Sequence, residues 1–274
     1  MATQGRRRAF GQHFLKDQSI SHEIAQTAVD QALKHQCKAL LEIGPGQGAI
    51  TEPLLERIQG TSLSDQFCIV ERDPRIAQFW IEKLRGSSTR LELGDFLEVA
   101  QEKWMRQKPL AVVSNLPYSA GTAILVRLAR EFVHIPVMVL MFQAEVAKRL
   151  MAGPSESGRG SLSVWIQNVW DVTSLRHVPP KAFSPPPQVD SEVVILTRRA
   201  LPHIAVFESP VHEKKWESLL KACFAHRRKM LRSTFPWPEV LKASGVDPTL
   251  RAEALDWPQW EKLFQNSMDL LKNG

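Results

Sequence analysis

The sequence predicts an α/β domain built on a mostly parallel sheet, followed by a small all-α domain. Short apolar runs typical of buried strands alternate with helical patterns along the first part of the chain. A glycine-rich turn at residues 44–48 joins the first strand to a helix, as in nucleotide-binding sheets. Strand patterns disappear after about Leu201. We therefore expect domains at residues 1–200 and 201–274.

Composition limits the classes of protein to which the chain can belong. It has 274 residues, 43% of them hydrophobic, and a formal net charge of +6, which is compatible with a polyanionic partner. No apolar run is long enough to span a membrane, and we expect the N-terminal segment not to be a signal peptide, since no apolar stretch follows its charges. The cysteines and histidines show no disulfide or metal-ligand spacing. We expect a cytoplasmic monomer with no metal and no membrane association.

The elements follow in a regular order. A helix capped by Ser21 is expected to extend to about Leu33. Strands are predicted at 39–43, 67–70, 90–93, 110–114, 137–142, within 164–178 and at 192–197. Helices are predicted at 49–58, 74–84, 122–132 and 145–151, and in the second domain at 212–235 and, as two or three short helices, up to residue 271. The loop at 153–160 is either a lid or, more commonly, a connector.

Two acidic residues flank a turn suited to close approach of a ligand. Glu42, Gly44, Gly46 and Gly48 stand at alternate positions, unlike the G-x-G-x-x-G of dinucleotide sites. Glu71 ends the second strand, 23 residues after Gly48, near the spacing at which a carboxylate meets ribose hydroxyls. The alternatives are a bare glycine turn and a solvated glutamate, but together the two features favour cofactor binding.

The third and fourth strands end in groups suited to holding adenine. Asp95 could accept a hydrogen bond from an adenine amine while the apolar Phe96 covers the ring. At the fourth strand, Pro117 turns the chain outward after Asn115 and Leu116. The Asn115 side-chain oxygen and the Leu116 carbonyl could then accept hydrogen bonds from both N–H groups of an adenine 6-amino group.

Two aromatic residues are candidates for stacking on that base. The ring of Tyr118, directly after Pro117, could hold the base in line with a methyl donor. An ordinary strand-to-loop exit with a packed tyrosine is the alternative. Phe183, beside the proline-rich loop at 178–191, is either an exposed aromatic that sandwiches a flipped-out base or a packed loop anchor.

Basic residues concentrate in two places. Arg6, Arg7 and Arg8 lie in the N-terminal segment. Lys214, Lys221, Arg228 and Arg232 share one face of the predicted helix at 212–235, with Arg227 and Lys229 alongside. This stripe is either a solvated face or a site of contact with RNA phosphates.

A set of motifs lies in a fixed order along the chain, namely QHFL at 12–15, EIGPGQG at 42–48, VE at 70–71, GD at 94–95, NLPY at 115–118, AFSPPPQVDS at 182–191 and FAHRRK at 224–229. This set resembles the rRNA adenine dimethyltransferase family, and most closely its small-subunit type. Together the motifs cover about residues 8–255. Each motif alone is a weak signal, but their order makes the set specific.

The resemblance implies transfer of methyl groups from S-adenosyl-L-methionine, twice to each of two adjacent adenosines near the 3′ end of small-subunit rRNA. The partner would be an immature small ribosomal subunit. The implied fold is the Rossmann-like class I methyltransferase sheet of seven strands, the last antiparallel, with a small helical domain. Positions that match the family's cofactor contacts are His13, Leu15, Gly44, Glu71, Asp95 and Asn115. His13 stands where the family usually has asparagine.

Three other functions remain as alternatives. A large-subunit rRNA methyltransferase of the antibiotic-resistance type would share fold and chemistry, although its motif is usually Asn-Ile-Pro and this chain has Leu116. A non-catalytic RNA-binding assembly factor is disfavoured by the complete glycine turn. A dinucleotide oxidoreductase is disfavoured by the glycine spacing.

Overall fold

The computed structural model describes residues 13–131 and 133–272. The chain divides into two compact units: unit 1 comprises Met1–Ala147 and Asp171–Arg198, and unit 2 comprises Lys148–Trp170 and Arg199–Gly274. The predicted first domain, 1–200, included residues 148–170, which the structure groups with unit 2. Backbone hydrogen bonds explain this grouping: Ser155 donates to the Glu253 carbonyl and Arg199 to the Val169 carbonyl, both at 2.9 Å.

Unit 1 is organised around a seven-stranded sheet. Its strands are β2 (Ala39–Ile43), β3 (Phe67–Glu71), β4 (Arg90–Leu93), β5 (Leu110–Asn115), β6 (Val137–Gln143), β7 (Trp170–Val178) and β9 (Ser191–Arg198). They lie in the order β4-β3-β2-β5-β6-β9-β7. The strands from β4 to β6 in this order are parallel, and β9 is antiparallel to β6. The predicted mostly parallel sheet with an antiparallel last strand is therefore confirmed.

Burial along the strands follows their position in the sheet. Every residue of β2 and β3 is buried, whereas the edge strand β4 is only partly buried, as expected when helices cover both faces of a parallel sheet. A separate two-stranded antiparallel ladder joins β1 (Phe14–Leu15) to β8 (Phe183–Ser184). No sequence pattern indicated these two short strands.

Except for one short helix that the sequence did not predict, at Gln101–Trp104, the helices of unit 1 begin close to the predicted positions. They are α1 (Gln18–Lys34), α2 (Thr51–Ile58), α3 (Pro74–Lys83), α4 (Gln101–Trp104) and α5 (Gly121–Arg130), followed by α6 (Ala144–Met151) at the boundary with unit 2. The prediction of Ser21 as the cap of α1 is wrong, because the Asp17 carboxylate caps the helix by accepting from the Ile20 N–H at 3.3 Å. No described helix is both long and apolar enough to cross a membrane.

Unit 2 is helical, but its first long helix is shorter than predicted. Its helices are α7 (Ser161–Gln167), α8 (Pro210–Phe224), α9 (Leu231–Thr234), α10 (Pro238–Ser244) and α11 (Trp257–Lys272). The predicted single helix at 212–235 is wrong, since α8 ends at Phe224. The N–H groups of Leu231 and Arg232 donate instead to the carbonyls of Leu250 and Pro248, at 2.8 and 2.9 Å.

Candidate active site

A cavity of about 420 Å³ lies in unit 1 where the parallel strands end, a size typical of ligand sites. The strand order reverses between β2 and β5, and such switch points are where open α/β sheets bind ligands. Most of the predicted site residues line this cavity, namely His13, Leu15, Glu42, Gly44, Gly46, Glu71, Asp95, Phe96, Asn115, Leu116, Pro117 and Tyr118. The structure thus brings them together, and their contacts with a cofactor remain predictions.

The glycine turn after β2 leaves room for a ligand on one side and is held from the other. Gly44 has a φ of +69°, and a Cβ added there would meet no atom within 4 Å. At Gly46, with a φ of +53°, a Cβ would lie 3.2 Å from the Phe14 ring. The buried Trp80 indole donates to the Gly46 carbonyl at 3.0 Å. Glycine is thus required here both for backbone conformation and for close packing.

Glu71 ends β3 as a buried carboxylate with backbone partners. It is 4% exposed, and its two oxygens accept from the N–H groups of Asp73 at 2.8 Å and Gly46 at 3.4 Å. Burial raises its pKa, although these hydrogen bonds act in the opposite direction. Since each carboxylate oxygen has two lone pairs, Glu71 can still accept hydrogen bonds from a pair of ligand hydroxyls.

Glu42 is the second buried acid of the cavity. It is 2% exposed, and its Oε2 atom has no hydrogen-bond partner within the described structure. Burial raises its pKa to about 8, and the nearby Glu71 charge adds to this increase. At neutral pH the Glu42 carboxyl is therefore mostly protonated in the free protein, and a cationic ligand beside it would favour the ionised form.

Two arginines, Arg72 and Arg127, hold the segment after β4, and the sequence predicted neither of them as a site residue. The Asp95 carboxylate pairs with Arg72 at 3.0 Å and accepts from the Leu97 N–H at 3.0 Å. Phe96 is 3% exposed, and the Arg127 guanidinium lies 5.0 Å from its ring centroid. Arg127 also donates to the carbonyls of Phe96 and Val99. In the sequence, Arg127 was marked only by its position inside the apolar run at 123–129 of α5.

The strand end of β5 forms the remaining wall. Asn115 is the last residue of the strand, and the N–H groups of Ala120 and Gly121 close a turn onto the Pro117 carbonyl at 3.0 and 2.8 Å. The half-buried Tyr118 has its hydroxyl 2.6 Å from the Ser191 Oγ atom. Burial raises the pKa of Tyr118. Asn115 and Tyr118 thus border the same cavity as the glycine turn.

His13 and Phe183 occupy different places around this wall. The His13 ring centroid lies 5.7 Å from that of Tyr118, and its Nδ1 atom is 2.8 Å from the Pro185 carbonyl oxygen. Phe183 is 1% exposed, pairs with Leu15 through β1 and β8, and does not line the cavity. Of the two interpretations of Phe183, the exposed aromatic that stacks on a base is therefore contradicted. In this structure Phe183 is a packed anchor of the loop.

The basic residues of unit 2 do not form one helical stripe. Lys214 and Lys221 are exposed on α8, whereas Arg228 and Lys229 belong to an exposed turn, residues 225–230, which we call the basic turn. Arg227 in this turn donates to the Arg159 carbonyl at 3.0 Å. Arg232 is exposed on α9. The predicted alignment is wrong because α8 ends before the turn; phosphate contact remains a prediction.

Arg6, Arg7 and Arg8 lie outside the described residues, so the structure does not test their predicted contact with RNA. Among residues 13–131 and 133–272, no three His, Cys, Asp or Glu side chains form a group suited to a metal ion.

Comparison with known proteins identifies the family. Residues 3–268 match the family model described as ribosomal RNA adenine dimethylase. Ribosomal RNA small subunit methyltransferase A of Cronobacter sakazakii is 37% identical over 264 residues, which cover 93% of this chain and 90% of the relative.

Two solved structures share the fold. A dimethyladenosine transferase from Plasmodium falciparum has a TM-score of 0.75 at 23% identity, covering 96% of this chain and 98% of that one. The 23S rRNA methyltransferase ErmE has a TM-score of 0.65 at 26% identity, covering 92% and 98%. The fold is that of class I methyltransferases, and the chain belongs to the ribosomal RNA adenine dimethylase family.

Proposed function

We propose that this chain dimethylates the 6-amino groups of two adjacent adenosines near the 3′ end of small-subunit rRNA during ribosome assembly, with S-adenosylmethionine as the methyl donor. The observation that carries the proposal is the shared cavity, which places Asn115, Leu116 and Tyr118 around the same space as the glycine turn and its acids. The small-subunit relative and Leu116 in the NLPY motif support this choice of substrate.

The residues around the cavity fit this cofactor. The Glu71 carboxylate would accept from the two ribose hydroxyls, and Asp95 with Phe96 would hold the adenine. The unpartnered Glu42 oxygen and the open side of Gly44 would face the charged methionine part. When bound, the cofactor supplies a methyl group carried on a positively charged sulfur.

The end of β5 would hold and activate the target amine. Its lone pair is delocalised into the adenine ring, so the amine is a poor nucleophile. The Asn115 side-chain oxygen and the Leu116 carbonyl would accept hydrogen bonds from its N–H groups and stabilise the positive charge that develops on nitrogen. The bound cofactor would supply the methyl group to this nitrogen, and Asn115 and Leu116 would hold the amine while one of its N–H protons passes to water. Tyr118 orients the base by stacking.

The same geometry limits the form of RNA that can react. An adenine inside an A-form helix cannot present its amine to a pocket at a strand end, so the target lies in a loop or is turned out of the stack. Exposed basic residues of unit 2, including Arg228 and Lys229, would contact flanking phosphates. We therefore expect naked short RNA to be a poorer substrate than an unmethylated small subunit.

Labelled methyl transfer to separated ribosomal subunits from a strain lacking the enzyme tests the proposal. We expect label in small-subunit RNA, recovered as dimethyladenosine by mass, and none with Asn115→Ala. Label in large-subunit RNA alone would instead assign the chain to the resistance-type enzymes. RNA binding without any transfer would assign it to the non-catalytic assembly factors.

A further inference from the structure

The residues next to Tyr118 in sequence give its ring little packing. Its neighbours Pro117 and Ser119 are both exposed, and the Tyr118 side chain is only half-buried. The residue belongs to the turn that follows β5, not to the strand. The orientation of its ring therefore depends on what the far end of the side chain contacts.

That far end meets a rigid element. Ser191 is 0% exposed and is the first residue of β9, which pairs with β6 from Ser191 opposite Gln143 to Thr197 opposite Val137. Its Oγ atom lies 2.6 Å from the Tyr118 hydroxyl oxygen. A residue of an exposed turn is thus tied to a strand inside the sheet.

We propose that Ser191 is a positioning residue for methyl transfer, because its hydroxyl group fixes the plane of the Tyr118 ring against which the target base stacks. The inference rests on the proposed function, since it takes Tyr118 as the surface that receives the base. A tyrosine side chain turns about two torsion angles, and a hydrogen bond at the end of the ring restrains both. Small errors in the orientation of a reacting group have large effects on rate.

The neighbouring ring is held by the same loop. The His13 Nδ1 atom lies 2.8 Å from the Pro185 carbonyl oxygen, and its ring is inclined by 31° to that of Tyr118. Both aromatic side chains of this wall are therefore anchored to residues between Pro185 and Ser191. The motif at 182–191 therefore contributes to the site by holding the His13 and Tyr118 rings, and this role does not require Phe183 to be exposed.

The chain contains a single tyrosine, which makes the proposal directly measurable. Protein grown with 3-fluorotyrosine gives one ¹⁹F resonance, from Tyr118. We expect Ser191→Ala to shift or broaden this resonance. Ser184→Ala, which makes the same change at an exposed serine of the same loop, should leave it unchanged.

A double-mutant cycle then connects the contact to the reaction. At saturating cofactor, Ser191→Ala and Tyr118→Phe should each slow single-turnover methylation of small subunits by about 3- to 10-fold, the usual effect of losing one hydrogen bond. The double variant should be no slower than either single variant. Cofactor affinity should stay within about twofold of the wild type.

The outcomes separate this proposal from the proposed function. Additive losses in the double variant, an unchanged ¹⁹F resonance in Ser191→Ala, or a parallel loss of cofactor affinity would each overturn the role of Ser191 while the wild type remains active. A wild-type protein that methylates no small-subunit RNA would overturn the proposed function itself.

Discussion

The cavity of unit 1 and the basic turn of unit 2 use charged side chains in opposite ways. In the cavity, Glu42 and Glu71 are 2% and 4% exposed, and burial raises the pKa of both. In the basic turn, Arg228 and Lys229 are exposed to water. Removing one desolvated group should have a large effect, whereas solvated charges contribute weakly and roughly additively. Four predictions test this difference.

The largest effect should come from Glu42→Gln on the pH dependence of stability. Burial raises the pKa of Glu42 from 4.5 to about 8, so between these values the folded protein keeps a proton that the unfolded chain releases. This group therefore stabilises the fold below pH 4.5, and its contribution is lost as the pH rises to about 8. The loss is on the order of a few kcal/mol.

Denaturant unfolding of the cofactor-free protein across this pH range measures the effect. Glutamine cannot ionise, so the free energy of unfolding of Glu42→Gln should fall less steeply with pH than that of the wild type. The exposed Glu102→Gln change serves as the control and should follow the wild-type curve. Parallel curves for wild type and Glu42→Gln would contradict the buried, protonated state of Glu42.

The second effect concerns the base-binding half of the cavity. Tyr118→Ala should slow single-turnover methylation by about 100-fold, because the base loses both its stacking surface and its orientation. Calorimetry should show nearly unchanged cofactor affinity. Tyr118→Phe keeps the ring and should lose far less activity; equal losses in the two variants would argue against stacking.

The third effect concerns the cofactor-binding half. Glu71→Ala should weaken S-adenosylmethionine binding by roughly 1.5–3 kcal/mol, because paired acceptors for the ribose hydroxyls are lost. Glu71→Gln keeps the size of the side chain and should fall between Glu71→Ala and the wild type. If calorimetry shows that Tyr118→Ala loses as much cofactor affinity as Glu71→Ala, the division of the cavity into two halves is wrong.

The smallest effect should come from the basic turn. If Arg228 contacts a phosphate, Arg228→Ala should flatten the slope of log RNA affinity against log salt concentration by up to about 1. Lys108→Ala is the control. It removes an exposed charge near the amino end of β5, the end away from Asn115 and the cavity, and should leave the slope unchanged. Equal slopes for wild type and Arg228→Ala would identify the turn as a solvated surface.

The sequence by itself determined the sheet and most of the cavity. The central strands are short apolar runs, and polar or glycine residues stand at their ends or within two positions after them, as at Gly44, Glu71, Asp95 and Asn115. Because the carboxyl ends of parallel strands meet at one edge of the sheet, these local patterns were sufficient to predict which residues lie together. The helix start at Asp73-Pro74 was equally local, since a cap and its helix are neighbours in sequence.

Only the tertiary structure decided where α8 ends, whether Phe183 is exposed and what holds Tyr118. The apolar period of α8 continues past Phe224, but the N–H groups of Leu231 and Arg232 find carbonyls beyond residue 247. Phe183 is buried through its pairing with Leu15, and Tyr118 is bound by a serine 73 positions away. Periodicity reports which residues share a face, whereas the partners of buried and polar groups are set by residues that only folding brings together.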